Sequence, residues 1–288
     1  MEPVNNAFGR NHLVKIAHVS DLHFGEADLG VAEALRESLL DFAPDLILVT
    51  GDITTSGRTR EFRMARAYLD SLPYRKVVVM GNHDILNGIY LPMLVTPLFN
   101  PQRTNLRYRR KIPYDSDFRL NGLKIVGLNS TKNFSFARGR IRKDEFARFD
   151  SDCVRVLALH HHIIAIPGTG ERNMIVNVDD AIEGILKHGI NYVFHGHRHR
   201  AAHFRLESFM WDRAVNHPID IFACGTTLSP RVRGDDPYNN YNRVTIDTSP
   251  ALRTNRFAYQ NVMYEPARKA FLPRDEGFNL LRTPLAPG

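Results

Sequence analysis

The chain is built from short apolar runs, most of which stop abruptly at a polar cluster. The first, Leu13 to Val19, ends at Ser20-Asp21. A run this short, bounded by polar residues, predicts a buried strand. Over residues 29–42 the period changes: Leu35, Leu39 and Phe42 share one side of a helical repeat, with Glu33, Arg36 and Asp41 elsewhere. Pro44 ends that helix. A second strand follows at Leu46 to Thr50, then a polar Thr-Thr-Ser-Gly turn, a helix through Phe62, Ala65 and Leu69, and a third strand at Val77 to Met80. Strand and helix alternating at this spacing predict βαβ units and a parallel sheet.

The middle of the chain is less regular. Residues 85–112 carry several prolines and the basic stretch Arg103, Arg107, Arg109, Arg110, Lys111. Residues 118–126 read as a hairpin whose Asn121-Gly122 suits a type I′ turn. A helix is predicted over 142–150, a strand over 154–159 that runs into His160, a helix over 178–188, and a strand over 192–194 that runs into the cluster at 195–199. Further strands are predicted at 202–209, 219–224 and 241–247. From about residue 260 the pattern weakens, and the last dozen residues read as a loosely held tail. No repeat, low-complexity tract or linker divides the chain. It reads as α/β: a single domain over 1–260, two packed sheets with helices outside, and a partly ordered C-terminal extension over 261–288.

Composition narrows the function classes. With 288 residues, 43% of them hydrophobic, the chain can bury a sizeable core, which excludes global disorder. No apolar run approaches the ~20 residues of a membrane span. Met1 to His12 lacks the hydrophobic stretch of a secretory leader. The only cysteines, Cys153 and Cys224, read as small buried hydrophobes rather than a disulfide, and the expected location is cytoplasmic. The net charge of +7 favours anionic substrates and says nothing about fold. The 13 histidines are more telling. His12, His188 and His217 read as ordinary surface or loop residues, but most of the others fall into clusters.

Those clusters are Asp21-Leu22-His23, Gly51-Asp52, Gly81-Asn82-His83-Asp84, His160-His161-His162 and Gly196-His197-Arg198-His199. Each follows an apolar run, and open α/β sheets place their sites at the carboxyl ends of strands. Singly they are weak signals. An Asp after a strand is more often a turn or cap residue, and a lone His at a strand end is usually a satisfied polar group. Together they supply two carboxylates, an amide oxygen and enough imidazoles for two divalent cations, a set that packing does not require. If the chain stays extended, Asp21 and His23 face the same way. Gly81 and Gly196 let the backbone turn sharply after their strands. Nitrogen and oxygen ligands without thiolate suit Mn, Fe, Zn or Co.

In this order the five motifs resemble the calcineurin-like metallophosphoesterase superfamily over about residues 13–247. Within it, the chain is most similar to the bacterial cyclic-AMP phosphodiesterase type (class III cyclic nucleotide phosphodiesterase-like). The stretch Gly225-Thr-Thr-Leu-Ser-Pro-Arg-Val-Arg-Gly, followed by Asn242, also resembles a segment in relatives of that group. The resemblance implies a four-layer α/β/β/α sandwich of two mixed β-sheets flanked by helices. It implies Asp21, His23, Asp52 and His199 around a first metal, and bridging Asp52 with Asn82, His160 and His197 around a second. His83 would transfer a proton without binding metal, oriented by Asp84. The family's usual His-His-Pro is here His160-His161-His162, so His160 is the expected ligand and His161 the alternative.

The implied reaction is phosphodiester hydrolysis by in-line attack of a metal-bridging hydroxide, with cyclic nucleotides as one substrate class. A phosphomonoesterase, or a hydrolase of nucleotide or lipid head-group phosphates, would use the same motifs. A non-catalytic scaffold on this fold is disfavoured by the retained His83 and ligand positions. Arg198, Arg231 and Arg233 read either as solvated residues or as substrate contacts, and the basic stretch at 103–111 as a solvated face or a steering surface. A nucleic-acid-binding role rests on net charge alone, without an aromatic-interleaved basic run. The expected partner is therefore a small anionic phosphoester. The oligomeric state stays open, with a homodimer as one option.

Overall fold

The computed structural model of the chain describes residues 12–85, 110–131, 138–149, 153–165, 173–206, 209–210, 213–214, 218–232, 238–249 and 255–274. Its strands are β1 (Leu13–Val19), β2 (Leu46–Val49), β3 (Arg75–Val78), β4 (Asp117–Leu120), β5 (Leu123–Gly127), β6 (Val154–Ala158), β7 (Tyr192–His195), β8 (Ala202–Leu206), β9 (Phe209–Met210), β10 (Arg213–Ala214), β11 (Ile219–Ala223), β12 (Asn240–Asp247), β13 (Arg256–Glu265) and β14 (Ala270–Pro273). Helices α1 (Leu29–Phe42), α2 (Thr59–Ser71) and α3 (Val178–Lys187) lie between them. Two 3₁₀ turns, Asn82–Asp84 and Lys143–Arg148, are also found among the described residues; the second stands where the sequence predicts a longer helix over 142–150.

Twelve of these strands form two six-stranded sheets, ordered β14-β13-β12-β1-β2-β3 and β4-β5-β6-β7-β11-β8, and β9 and β10 pair separately as a two-stranded ladder. In the first, β1, β2 and β3 run parallel while β12 pairs antiparallel with β1. In the second, β5, β6, β7 and β11 run parallel, with β4 and β8 antiparallel at the edges. The turn between β4 and β5 places Asn121 at φ 44° and Gly122 at φ 78°, the paired positive torsions of a type I′ turn. β13 crosses the boundary expected at 260–261, and β14 extends the sheet to Pro273.

The two-residue period of each strand sorts its side chains between layers. Val14, Ile16, Leu46 and Leu48 point between the sheets and meet Val156, Tyr192, Phe194 and Phe222 from the second sheet. Ala17, Val19, Ile47 and Val49 point the other way, onto Leu35, Leu39, Phe62 and Leu69 of α1 and α2. In the second sheet Leu157, Val193 and Ile221 face Phe146, Ala181 and Ile185. The result is the α/β/β/α sandwich that the resemblance implies. Cys224 is buried, donating to the His18 carbonyl at 3.3 Å, whereas Cys153 is only half-buried, contrary to expectation. Among the described residues no helix is long and apolar enough to cross a membrane.

Candidate dimetal site

Parallel strands from both sheets end on one rim. Asp21, Asp52 and Asn82 follow β1, β2 and β3; His160 follows β6, and His197 and His199 follow β7. Backbone bonds stitch the loops together: Asp21 N–H to Gly51 O (3.0 Å), His23 N–H to Asp52 O (3.0 Å), Gly196 N–H to His160 O (3.1 Å) and, between the sheets, Thr227 N–H to Ser20 O (3.0 Å).

The loops are not extended. Asp21 (φ 51°), His23 (46°), Asp52 (49°), His197 (75°) and His199 (55°) all occupy the left-handed region, five of the nine non-glycine residues that do so among those described. Each such residue costs on the order of 1 kcal/mol. The convergence of Asp21 and His23 therefore comes from this tight coil and not from strand alternation, as the sequence suggested. The glycines also act differently from expectation. Gly51 does take a positive φ of 93°, but Gly81 sits at −101°. A Cβ on Gly81 would lie 2.2 Å from Asp52 N, and one on Gly196 would lie 1.8 Å from Ser20 Oγ. At those two positions closeness, not torsion, demands glycine.

Two donor groups result, buried except at half-buried His197. Asp21, His23 and His199 each offer one ligand atom within 4.8 Å of the others, and so do Asp52, His160 and His197. In the first, Asp21 Oδ1 lies 3.3 Å from His199 Nε2 and 3.9 Å from His23 Nε2. In the second, His160 Nε2 lies 3.3 Å from Asp52 Oδ2, 3.0 Å from Asn82 Oδ1 and 3.1 Å from His197 Nδ1. Asp52 Oδ2 also lies 3.9 Å from His23 Nε2, so this carboxylate stands between the groups.

The donor set fits cations. His160 Nδ1–H donates to the Thr50 carbonyl (2.7 Å) and His199 Nδ1–H to the Arg231 carbonyl (2.6 Å). In the neutral rings each Nε2 is then a bare lone pair. His160 Nε2 thus confronts two oxygens, and His199 Nε2 faces His23 Nε2 at 3.4 Å. Asp21 Oδ2 accepts from Ser20 Oγ (2.6 Å) and His197 N–H (3.0 Å), but buried Asp21 Oδ1 has no hydrogen-bond partner. Lone pairs converging in a buried space repel, and a divalent ion between them removes the conflict. Protons can do part of the same work. Burial opposes the charge on Asp52 and Asp21, yet His160 holds the Asp52 carboxyl well below its usual range and His199 holds Asp21 below its own. Burial likewise opposes a proton on His160, but Asp52 raises it to about 9.

His83 sits in the 3₁₀ turn after β3. Its backbone N–H donates to Asp52 Oδ1 (2.8 Å), and its Nδ1–H donates to the Thr55 carbonyl (2.8 Å). Its ring meets that of His23 edge-on at 4.9 Å. Asp84 does not orient it, contrary to expectation. The Asp84 carboxylate instead accepts from Thr54 N–H, Thr54 Oγ1 and Gly81 N–H, each at 2.9 Å, clamping the two loops together. The 3₁₀ turn carries residues 83 and 84 apart, and burial with the charge of Asp52 raises Asp84 to about 7.

Of the three consecutive histidines only His160 joins a donor group. His161 Nδ1 pairs with Ser130 Oγ (2.8 Å), and the His162 ring packs against His195 at 6.1 Å. Arg198 is half-buried between the two rim histidines. Arg231 pairs with Glu26, and Arg233 lies outside the described residues, as do Arg103, Arg107 and Arg109. Lys111 lies over the Phe62 ring at 4.7 Å. Sequence reasoning missed Ser20, Thr50, Thr55 and Glu26. It also passed over His18, which lies within an apolar run and is a core histidine between Thr50 Oγ1 (2.9 Å) and Asn242 Nδ2 (3.2 Å), its pKa pushed well down by burial.

Known proteins are similar in sequence and in fold. The family model described as Calcineurin-like phosphoesterase matches residues 14–201. The chain is 21% identical to a "Probable cyclic nucleotide phosphodiesterase" of Ruthia magnifica, across 65% of this chain and 78% of that one. It is 33% identical to a glycerophosphodiester phosphodiesterase of Enterobacter lignolyticus, across 32% of this chain and 38% of the other. Its fold is similar to that of a dimetal phosphatase from Danio rerio, with a TM-score of 0.53 at 13% identity over 88% of this chain and 99% of the other. The chain belongs to the calcineurin-like phosphoesterase family and is a dimetal, metal-dependent phosphoester hydrolase.

Proposed function

We propose that the chain is a phosphodiesterase acting on small monoanionic phosphodiesters, with cyclic nucleotides as the leading candidate class. The observation that carries this reading is the pair of donor groups sharing Asp52 on one rim. The relatives named as cyclic nucleotide and glycerophosphodiester phosphodiesterases support the diester preference. Asp21, His23, His199 and Asp52 would hold one divalent cation, and Asp52, Asn82, His160 and His197 the other, with Mn, Fe or Zn suited to these ligands. When bound, the cations polarise the phosphoryl group, stabilise the attacking and leaving oxygens, and make water a usable nucleophile at neutral pH.

The protein's own groups do the rest. Thr50 and the Arg231 carbonyl fix the tautomers of His160 and His199 so that each presents Nε2. The Thr55 carbonyl does the same for His83, leaving Nε2 to exchange the proton. As the bond from phosphorus to the leaving oxygen breaks and one to a water-derived oxygen forms, His83 protonates the departing alkoxide. No covalent enzyme intermediate is involved, so chirally labelled substrate should invert at phosphorus; retention rules this course out. The wider test is activity of the Mn²⁺-reconstituted protein on bis-p-nitrophenyl phosphate, p-nitrophenyl phosphate, cyclic AMP and single-stranded DNA. Diesters should turn over fastest. Preference for p-nitrophenyl phosphate would favour a phosphomonoesterase, and silence on every ester with metal bound would favour a scaffold.

A further inference from the structure

Glu26 and Arg231 form a charged strap across the first donor group. Glu26 follows His23 by one turn, its backbone N–H donating to the His23 carbonyl at 3.0 Å. Its carboxylate accepts a two-pronged grip from Arg231: Nε to Oε2 and Nη2 to Oε1, both 2.8 Å. Arg231 in turn offers its carbonyl to His199 Nδ1–H at 2.6 Å. The path His23–Glu26–Arg231–His199 therefore closes a ring, and the ring's two ends are imidazoles whose Nε2 atoms lie 3.4 Å apart. The pair is at the solvent side, with side chains 39% and 34% exposed, whereas His23 is fully buried. It is also within electrostatic reach of the chemistry: the Glu26 carboxyl feels His23 and His83, and the Arg231 guanidinium feels Asp52.

A lone guanidinium in this place would add a unit of positive charge beside the phosphoryl position and offer a fork matched to phosphate oxygens. Glu26 occupies that fork and cancels that charge. A phosphodiester carries one negative charge, which two cations already overcompensate. A phosphomonoester carries close to two above neutral pH and gains more from each added positive charge. We infer that Glu26 is a specificity-determining residue: by engaging Arg231 at the mouth of the metal centre, it withholds from dianionic monoesters a cation that diesters do not need. This inference rests on the phosphodiesterase reading and deepens it.

The test compares wild type, Glu26→Gln, Arg231→Gln and the double variant, all loaded with Mn²⁺ at pH 8 and low ionic strength. Three quantities are read: cations per chain, the ratio of kcat/KM for p-nitrophenyl phosphate over bis-p-nitrophenyl phosphate, and the Kd of inorganic phosphate by calorimetry. Glu26→Gln should keep two cations, raise the ratio about fivefold and tighten phosphate binding by a similar factor, an effect that shrinks as salt is added. Arg231→Gln should lower the ratio, because Glu26 is then uncompensated. The double variant should return to within about twofold of wild type, since its net charge is restored. An unchanged ratio in Glu26→Gln, a double variant that fails to return, or loss of a cation from Glu26→Gln overturns the inference; the last would make the strap a support for metal binding. If wild type holds two cations yet cleaves neither ester, the phosphodiesterase reading fails, while the phosphate Kd still shows whether Glu26 screens Arg231.

Discussion

Two clusters in this molecule bury a carboxylate against histidine, and they behave in opposite ways. Toward the far end of the second sheet from the rim, Asp220 is fully buried within β11. Its Oδ1 accepts from His203 Nε2 and Arg205 Nε, both at 2.9 Å, and its Oδ2 from Asn255 Nδ2 (2.9 Å) and Arg205 Nη2 (3.2 Å). His203 stacks on Phe222 at 4.8 Å, wedged between the sheets. At the rim, Asp21 has one oxygen satisfied and the other facing His199 Nε2, which has no proton to give in the neutral ring. The backbone differs too: regular strand at Asp220, left-handed coil at Asp21, His23, Asp52, His197 and His199. Burial of an Asp–His pair is thus no sign of a metal. The sign is a donor set whose lone pairs meet each other, held there by a backbone that accepts strain.

The largest expected effects separate the clusters by activity. Asp52→Ala should lower kcat by about three orders of magnitude or more and reduce metal content below two per chain by elemental analysis, because one carboxylate serves both groups. His83→Ala should lower kcat by about 10²–10⁴ while two cations remain bound. If its metal content fell as well, His83 would belong to the ligand set and not to the proton work.

Asp220 should respond in stability instead. Asp220→Asn removes the charge that His203, Arg205 and Asn255 surround and should cost about 3 kcal/mol in urea unfolding, with metal content and kcat near wild type. Burial disfavours the Asp220 charge, but bonds from His203, Arg205 and Asn255 hold its pKa below the ordinary value of 3.8. A carboxyl lowered on folding contributes stability that is present above its unfolded pKa and lost as pH falls through the folded one. The urea midpoint of wild type should therefore fall as the pH drops below about 4, and by less in Asp220→Asn. At the rim the proton sign is reversed. Cation binding must displace the proton that Asp52 holds on His160, whose pKa is raised to about 9. Mn²⁺ affinity should rise from pH 7 toward 9 by up to about tenfold per unit, and a flat profile would contradict this. The smallest effect is expected at His161→Asn, with two cations retained and Mn²⁺ affinity within about threefold, whereas His160→Asn should lose a cation.

How far the sequence could be read follows the same division. The parallel strands were legible because Leu46 to Val49 and its counterparts are apolar on both faces, and the five clusters because they name the ligand types directly. The 3₁₀ turn at Lys143–Arg148 was less so: Phe146 and Phe149 have helical spacing, but Phe146 packs so closely on α3 that a Cβ at Gly184 would lie 2.5 Å from its ring. β13 weakens as a pattern because buried Asn261 sits in mid-strand, its Nδ2 donating to Asn240 Oδ1 and Asn242 Oδ1, a network no hydropathy reading anticipates. The contact of Asp84 was not legible because His83 Nδ1–H donates to the Thr55 carbonyl while Asp84 accepts from Thr54 and Gly81, pairings that leave no mark in the sequence. Glu26 and Arg231 are 205 residues apart, and only the meeting of β1 with the loop after β11 joins them.

The account stands on two cations at the rim. Anomalous diffraction from crystals of the Mn²⁺-loaded protein, collected on either side of the manganese edge, tests it most directly. Two peaks are expected, one among Asp21, His23 and His199 and one among Asn82, His160 and His197, with Asp52 between them. A single peak, or density placed at Asp220 and His203 instead, would contradict it.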